Sequence, residues 1–396
     1  MALEAMESKT VGSMQDNWND PKWLSDKRAA AFELFNQKPM PNFIYGLNIN
    51  LNIDLNLDDI SVKSQGKPIR EIFNKNKNVK IFEFNAALKD KESMLKENFM
   101  SCVKATDKFT LFHQAFVKNG LLVYILKNAE IKQPIELVTK VNSNVLFDHL
   151  IIFAEDNSEA SIVEEIKSSD DKSSYVSKIV EIFASGNAKI NYGNLQMLND
   201  ETFNFTIKRA NLGKDAAVNW LDCNFGSKVT LSEVSTNLNG EGAMTNNYGI
   251  FFGSRTQQFD LVANSMHNAP NTISDIFTKG ALTEKAKCIY RGLVKIQNNA
   301  SGSNGYQKED TLLLSPDAAA DSIPNLEIDN SDVRCTHGAS IGRIDREKLF
   351  YLKSRGLNEK ESTRIYVKGF FEELIQKMQI EQLRNSMHDL IDKRME

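Results

Sequence analysis

The chain has 396 residues, which is enough for two or three domains or for one elongated body of repeats. Its 48 basic and 52 acidic residues give a net charge of -4, so the composition does not indicate a nucleic-acid partner. The sequence has no run of about 18 apolar residues, as a membrane-spanning helix would need. The N-terminus also lacks the charged start and apolar segment of a secretory signal. We therefore expect a cytoplasmic protein that does not enter a membrane.

The first hundred or so residues predict two helices and one strand. Asp20 and Pro21 have the pattern of a helix start, with the Asp side chain as the cap and Pro at the first helical position. An apolar stripe follows, and this helix is expected to end before Pro39. Alternation in residues 48–57 (NINLNIDLNL) predicts a strand, and a further helical segment is expected over residues 89–103.

After Asp107 the sequence changes to short β-branched runs that polar residues or glycines interrupt. Consecutive interruptions lie 13 to 16 residues apart, as the differences between their positions show. They are Asn157, Asp170, Gly186, Asp200, Gly213, Gly226, Gly240, Ser254 and Asn268. Such regularity is typical of stacked repeats. The spacing alone leaves a sandwich or a barrel open. The pattern itself therefore predicts a mainly β, repetitive region and no more.

The C-terminal end of the chain predicts helices. Asp345 can cap a first helix, and Asn358 opens a capping box for a second one. The apolar face of the second helix consists of Ile365, Phe370, Leu374 and Met378. Because exposed phenylalanines are unusual, Phe370 and Phe371 belong either to the core or to a docking surface.

Cys335 and His337 are the most distinctive pair in the chain, because no other Cys and His lie close together. In an extended segment residues i and i+2 point to the same face, so a thiolate and an imidazole would project side by side. These ligands suit iron, zinc or copper. A closed site needs about four ligands, so the others must come from a distant part of this chain or from another chain. On the residues alone, burial of Cys335 as a small core residue is the stronger alternative.

The remaining cysteines and histidines carry no clear metal signal. The four cysteines are far apart and form no C-x-x-C pair, which disfavours a disulfide scaffold or a zinc ribbon. Structural or surface roles are expected for the histidines that have no neighbouring ligand types, which are His113, His149, His267 and His388.

Two enzyme classes compete with a metal site. Residues 338–342 (GASIG) match the G-x-S-x-G nucleophile elbow of α/β-hydrolases, but that elbow needs a parallel α/β sheet and a His further along the chain, and only His388 lies downstream. A β-helical carbohydrate-acting enzyme would need a carboxylate cluster on one face, and the spacing reveals none. Glu164, Glu165 and Glu181 form either an acidic stripe or a solvated strand face.

The segment GYQKEDTLLLSPDAAADSIPNLEIDNSDVRCTHGASIGRIDREKLFYLKSRGL closely resembles the SufB/SufD family of iron–sulfur cluster assembly proteins. Within that family, the pairing of CTHGASIG with FYLKSRG resembles SufD rather than SufB. The likeness covers the chain well from about residue 105 to residue 378. It implies a mainly β fold, with a right-handed parallel β-helix core at residues 105–333 capped by a helical or mixed region at 1–104 and a C-terminal helical domain at 334–396.

The resemblance also implies a function. A SufD-like subunit works in a scaffold complex with SufB and SufC, and a nascent iron–sulfur cluster, or iron, is shared transiently with SufB. His337 is the first candidate ligand and Cys335 the second, with a Cys of SufB completing the site. An imidazole in place of a thiolate makes a cluster less negatively charged and more weakly held, which suits a site that gives its product away. A reduced flavin is also associated with the assembled complex.

In this family the ATPase activity belongs to SufC, so this chain is expected to be a scaffold and not an enzyme. It has no G-x-x-x-x-G-K-[ST] motif and should not bind ATP through a P-loop. Alone, it can pair with itself and bring two copies of the Cys–His pair near a two-fold axis. The alternative function is a metal-free structural subunit that only stabilises the partner scaffold. The residues expected to contact SufC are Asn358, Ile365, Phe370, Phe371 and Leu374.

Overall fold

A computed structural model describes residues 20–41 and 49–395 of the chain. Seven α-helices lie within these residues, namely α1 Lys22–Gln37, α2 Phe84–Asp90, α3 Glu92–Asn98, α4 Lys108–Phe116, α5 Arg346–Ser354, α6 Glu359–Ile375 and α7 Glu381–Arg394. The first nine strands there are β1 Ile69–Phe73, β2 Val79–Glu83, β3 Asn119–Ile125, β4 Ile135–Val141, β5 Val145–Ala154, β6 Glu159–Ser168, β7 Tyr175–Ala184, β8 Lys189–Met197 and β9 Phe203–Leu212. The next nine are β10 Ala217–Asn224, β11 Val229–Leu238, β12 Met244–Gly253, β13 Gln258–His267, β14 Ile273–Leu282, β15 Lys287–Ile296, β16 Asn304–Leu313, β17 Ala319–Ile328 and β18 Arg334–Arg343.

The strands form two nine-stranded sheets, between which consecutive strands of the chain alternate from β3 onwards. One sheet has the order β1-β4-β6-β8-β10-β12-β14-β16-β18, and the other has the order β17-β15-β13-β11-β9-β7-β5-β3-β2. Neighbouring strands are parallel, except that β1 pairs antiparallel with β4 and β2 with β3. The molecule is therefore a parallel β-solenoid with helices towards the N-terminus and the C-terminus of the chain. The mainly β fold and the parallel β-helix expected from the resemblance are confirmed.

Equivalent positions of successive turns stack directly on one another. Asp148, Lys178, Thr206 and Ser232, for example, are consecutive Cα partners along one sheet. Because side chains alternate between the two faces of a strand, such partners form columns. We call the space between the two sheets the lumen. Its N-terminal half is filled by an apolar cluster that includes Ile152, Ile182, Ile190, Val218 and Trp220.

Asparagines stabilise one corner of the solenoid. Asn128, Asn157 and Asn187 occupy equivalent turns with φ of 60°, 56° and 57°, a left-handed conformation that Asn tolerates better than most residues. The Nδ2 of Asn157 donates to Oδ1 of Asn128, and the Nδ2 of Asn187 donates to Oδ1 of Asn157, both at 3.0 Å. Asparagine therefore recurs at equivalent turns along the axis of the solenoid.

The start of α1 differs from its prediction. Pro21 is the cap residue, without a side-chain hydrogen bond, and Lys22 is the first helical residue. The Asp20 carboxylate instead accepts from Nε of Arg28 at 2.8 Å. Arg28 is buried, and a buried guanidinium is stable only when its charge is paired. The predicted cap therefore serves as the counter-ion of the helix's own arginine.

The prediction of a strand over residues 48–57 is wrong, because residues 49–57 form no strand. Asn48 lies outside the residues that the structure describes. This segment crosses strands of the second sheet and joins no ladder. The backbone N–H of Ile49 donates to Asp321 of β17, and the N–H of Asn52 donates to the Gln258 side chain of β13 at 2.7 Å. Alternate burial explains the sequence pattern, because Leu51 is buried against the solenoid. The helix predicted over residues 89–103 is likewise shorter, and α3 ends at residue 98.

The last strand, β18, extends the solenoid beyond the boundary expected at residue 334. Helices α6 and α7 then fold back onto the sheet that contains β8 to β16. Phe371 and Leu374 of α6 join the buried apolar cluster of Phe252, Phe277 and Leu312. Within the described part of the chain, no helix is both long enough and apolar enough to cross a membrane.

Candidate functional site

Strand β18 lies at the edge of its sheet, at the C-terminal end of the solenoid. It pairs with β16 on one side, and no other strand of the described chain lies on its other side. Almost all of its residues are exposed. An edge strand of this kind presents free backbone N–H and C=O groups to which another strand can pair. The open end of the solenoid is therefore also an open edge.

Cys335 and His337 both lie on this edge strand, opposite Gly305 and Gln307 of β16. A Cβ atom placed on Gly305 would lie 3.2 Å from the Cys335 Sγ, so the thiol sits over this glycine on the lumen side. His337 is two residues further along the strand and shares that face. Cys335 is half-buried, whereas His337 is exposed. The structure thus brings the two candidate ligands to one face at the mouth of the lumen.

Cys335 packs against the apolar cluster that includes Val294, and burial raises the pKa of its thiol. Metal binding would therefore have to displace a proton from this sulfur. Nowhere in residues 20–41 and 49–395 do three or more His, Cys, Asp or Glu side chains come together in a way that could hold a metal ion. Within the described residues, the pair by itself is therefore not a complete metal site.

Gln307 of β16 lies opposite His337, Glu309 lies opposite Ala339, and both were missed by the sequence reasoning. Both are buried on the lumen face, and burial raises the pKa of Glu309 to about 7. The Thr311 hydroxyl donates to Oε1 of Glu309. The Ser322 hydroxyl of β17 is a further hydrogen-bond partner of the Glu309 carboxyl group, whereas both amide atoms of Gln307 have no hydrogen-bond partner in the described structure. The only sequence signal was their i, i+2 spacing, in a segment so polar that it resembles a solvated strand.

Buried charges occupy the lumen further from the edge. Lys178 forms ion pairs with Asp148 at 2.6 Å and with Glu164 at 2.7 Å. Burial opposes ionisation of Asp148, but Arg70 and Lys178 nevertheless hold the pKa of its carboxyl group well below its usual range. Lys208 pairs with Asp222 at 3.0 Å in the same way. These pairs neutralise each other, so they are accounted for without a ligand.

The three glutamates of the expected acidic stripe do not form one. Glu164 lies in the lumen with Lys178, and Glu165 pairs with Lys167. Glu181 is fully buried and accepts hydrogen bonds from the backbone N–H groups of residues 100, 102 and 103. The stripe and the solvated strand face are therefore both wrong. Each buried carboxylate has its own local partners, so these residues do not form the carboxylate cluster that a carbohydrate-acting enzyme would need.

The other histidines have structural surroundings. His113 Nε2 lies 3.2 Å from His149 Nδ1, and His149 Nε2 lies 3.0 Å from the Glu181 carboxylate. Burial, followed by the charge of His149, holds the pKa of His113 well below its usual range. Burial also lowers the pKa of His267 to about 4, and its ring nitrogens contact two hydroxyl groups. His388 is part of α7 and lies 3.7 Å from Glu372.

The GASIG motif is part of β18 and does not form a nucleophile elbow. Ser340 is in the middle of the strand, with further strand residues on both sides. The elbow needs a sharp turn between a strand and a helix. The hydrolase interpretation therefore has no geometric support.

The five residues expected to contact the ATPase do not share one surface. Phe371 and Leu374 are fully buried against the solenoid. Asn358 and Ile365 are exposed, and Phe370 is half-buried with the Lys279 Nζ 4.4 Å from its ring centroid. The sequence reasoning did not include the two most exposed aromatic side chains of the C-terminal region, Phe350 (74 % exposed) and Tyr351 (57 %) on α5. Both residues belong to the FYLKSRG segment, which carries part of the family resemblance. Their place in that segment could have indicated a partner contact.

Comparison with known proteins gives consistent matches. A family model described as SUF system FeS cluster assembly, SufBD core domain, matches residues 137–370. An iron–sulfur cluster assembly SufBD family protein of Staphylococcus haemolyticus is 29% identical over 410 residues, which covers 91% of this chain and 87% of that protein. The protein of the same description from Staphylococcus epidermidis has the same identity and coverage, and the one from Staphylococcus aureus is 29% identical over 411 residues.

Proposed function

Because this chain belongs to the SufB/SufD family of iron–sulfur cluster assembly proteins, we propose that it is the SufD-like subunit of a scaffold complex with SufB-like and SufC-like partners. Its role is to supply His337, with Cys335 beside it, to a nascent cluster that the SufB-like partner completes. The observation that carries this proposal is the position of both residues on an open edge strand at the mouth of the lumen.

The first support for the proposal is that this chain offers too few ligands to hold a cluster alone. A cluster needs about four ligands on its irons, and this protomer offers one exposed imidazole and one half-buried thiol at the edge. The edge is also unpaired, so a strand of another molecule can add to it through backbone hydrogen bonds. One interface would then join the sheets and bring the missing thiolates to His337.

The apolar side chains near the edge favour a protein partner. Ile328 of β17 and Ile341 of β18 are large, apolar and exposed at the end of the solenoid. Exposed apolar groups next to an unpaired edge are typical of an interface that is buried in an assembly. A second copy of this chain could occupy the same edge when the SufB-like partner is absent.

The ATPase contact is assigned to the outward side of the C-terminal helices. Ile365 of α6 is exposed, and α5 presents Phe350 and Tyr351. Phe371 and Leu374 support this surface from below and are not part of it. We assign no residue of this chain to ATP or to the reduced flavin that the resemblance associates with the complex.

Replacement of His337 tests the proposed function. The complex, reconstituted anaerobically with iron and sulfide, should develop the visible absorption of a cluster. His337→Ala should reduce that absorption about tenfold or more, because the weakest-held iron loses its ligand. His388→Ala is the control, since it removes an imidazole from the surface of α7. Equal cluster formation by all three proteins would contradict the proposal and favour the metal-free structural subunit.

A further inference from the structure

The N-terminal end of the solenoid has a free strand edge of its own. Strand β1 pairs with β4 on one side, and no other strand of the described chain lies on its other side. Among the described residues, no backbone hydrogen bond joins β1 to any segment other than β4. An edge strand of this kind offers its outward N–H and C=O groups to an added strand.

This edge strand is short and carries exposed apolar side chains. Ile69 and Phe73 lie on its outer face with Glu71 between them, because alternate residues of a strand share a face. Arg70 points the other way, into the lumen, where it forms a buried ion pair. Ile69, Ile72 and Phe73 are all exposed, and Phe73 is 52% exposed. Three exposed large apolar residues on a five-residue edge strand indicate a surface that a partner covers.

Lysines flank this strand. Residues 62–83 contain six basic and two acidic side chains, a local excess of four positive charges in a chain whose net charge is -4. Both acidic side chains are engaged, since Glu71 pairs with Lys140 and Glu83 with Arg70. The five lysines of this segment are exposed and form no ion pair with any described residue. They are Lys63 and Lys67 before β1, Lys75 and Lys77 after it, and Lys80 on β2.

A groove lies beside the turn that follows β1. Its volume is about 740 Å³, and it is lined by residues 73–76 on one side and by a loop with Lys132 and Pro134 on the other. Glu130 and Glu136 also line the groove, so its own charge is balanced. The groove therefore leaves room for side chains of an added strand, and the unpaired positive charge is on the exposed lysines at the two ends of β1.

We propose that β1 binds an extended, acidic segment of another protein, which adds to the sheet as a further strand. The backbone of that segment pairs with the free edge of β1, its apolar side chains contact Ile69 and Phe73, and its carboxylates meet the lysines at the two ends of the strand. A nucleic acid or an anionic membrane would use only the lysines, because neither supplies backbone groups for an edge strand. A protein segment accounts for the edge, the apolar side chains and the charge together. Because β1 and β18 are at opposite ends of their sheet, this inference does not depend on the proposed cluster site.

The test is a titration of a fluorescein-labelled peptide with the purified full chain, followed by fluorescence anisotropy. The peptide has three Val-Thr repeats between two Glu residues at each end. We expect saturable binding, which Lys75→Glu combined with Lys77→Glu should weaken about tenfold or more. Lys214→Glu combined with Lys285→Glu makes the same change of charge on exposed turns further along the solenoid, and it should leave the affinity within about twofold.

The apolar contact has its own pair of variants. Phe73→Ala should weaken binding of the peptide about fivefold, because it removes the largest apolar side chain of the edge strand. Phe350→Ala removes an exposed phenyl ring from α5 and should have no effect. All the substituted side chains are exposed, so these variants are expected to fold.

A second peptide tests strand addition directly. N-methylation at each Val and Thr keeps the charges and side chains but removes the N–H donors that a strand needs, so this peptide should not bind. Equal binding of the methylated peptide would reveal a purely electrostatic surface and overturn the inference. Equally tight binding of single-stranded DNA or of vesicles that contain phosphatidylserine would do the same. The inference also fails if the first peptide shows no saturable binding, or if the Lys214 and Lys285 variant loses as much affinity as the Lys75 and Lys77 variant.

Discussion

At the residue scale, two glycines determine what the mouth of the lumen can present. Gly305 leaves the space over which the Cys335 thiol lies, and Gly292 leaves the space that the Gln307 amide occupies. The i, i+2 spacing in the sequence was sufficient to place Cys335 and His337 on one face of a strand. It could not reveal Gln307 and Glu309, because their burial depends on strands that lie far away in the sequence.

Glu309 should make stability depend on pH. Its carboxyl pKa is raised from 4.5 to about 7 by burial, so the folded chain keeps a proton that the unfolded chain loses. Stability therefore falls as pH rises from about 4.5 to about 7, and levels off above that range. Glu309→Gln cannot titrate, so its free energy of unfolding relative to wild type should rise by about 3 kcal/mol between pH 4 and pH 8.

Urea unfolding at a series of pH values, with a chelator present, measures this difference. Because only the change with pH is compared, a constant effect of the amide on stability cancels. Other groups titrate identically in both proteins. Parallel stability curves for wild type and Glu309→Gln would show that the carboxyl group has an ordinary pKa in the folded chain.

At the element scale, local signals predicted the C-terminal helices well. The Asn358 side chain accepts from the Glu361 N–H and the Glu361 side chain from the Asn358 N–H, as the capping box requires. Asp345 likewise caps α5 by accepting from the Glu347 N–H at 2.9 Å. These bonds join residues two or three apart, so the sequence contains all that determines them.

Elements with distant partners were predicted less well. Residues 49–57 alternate like a strand, but their backbone groups bond to side chains of β13 and β17. Phe371 could be assigned to the core or to a surface only once the sheet that covers it was known. The ladder Asn191–Asn219–Asn246, with side-chain bonds of 2.8 Å, likewise follows from stacking and not from local sequence.

The exposed side of α6 should control binding of the SufC-like ATPase. Ile365 is 46 % exposed, and Ile365→Asp would place a charge in the proposed contact without disturbing the core. We expect binding, measured by surface plasmon resonance, to weaken about tenfold. Asn385→Asp, an exposed change on α7, is the matched control and should have no effect. If Ile365→Asp binds as tightly as wild type, the ATPase contacts another surface.

At the scale of the whole molecule, the solenoid converts a sequence repeat into columns of side chains. Spacing of 13 to 16 residues indicated repeats, and the resemblance supplied the parallel β-helix. The columns could be derived only from the register of the strands, in which each strand pairs with the next but one in the chain. One such column ends with Gln307 and His337, so the fold itself links the buried interior to the open edge.

The same architecture explains why the chain is not expected to work alone. At the N-terminal end of the solenoid, the antiparallel strands β1 and β2 pair with β4 and β3, the first parallel strands of the two sheets, while α1 and α4 pack on the outer face of the sheet that contains β5, β7 and β9. At the other end, β17 and β18 are the last strands of their sheets in the described chain. Edge strands without cover favour association with another sheet. The proposed cluster ligands and the proposed assembly surface therefore lie at the same end of the solenoid.

A structure of the cluster-loaded complex with the SufB-like partner tests this account most directly. We expect β18 at the interface, and an imidazole nitrogen of His337 bonded to iron at about 2.0–2.1 Å, by analogy with imidazole–metal bonds elsewhere. A cluster held entirely by ligands of the partner, with β18 facing solvent, would contradict the account.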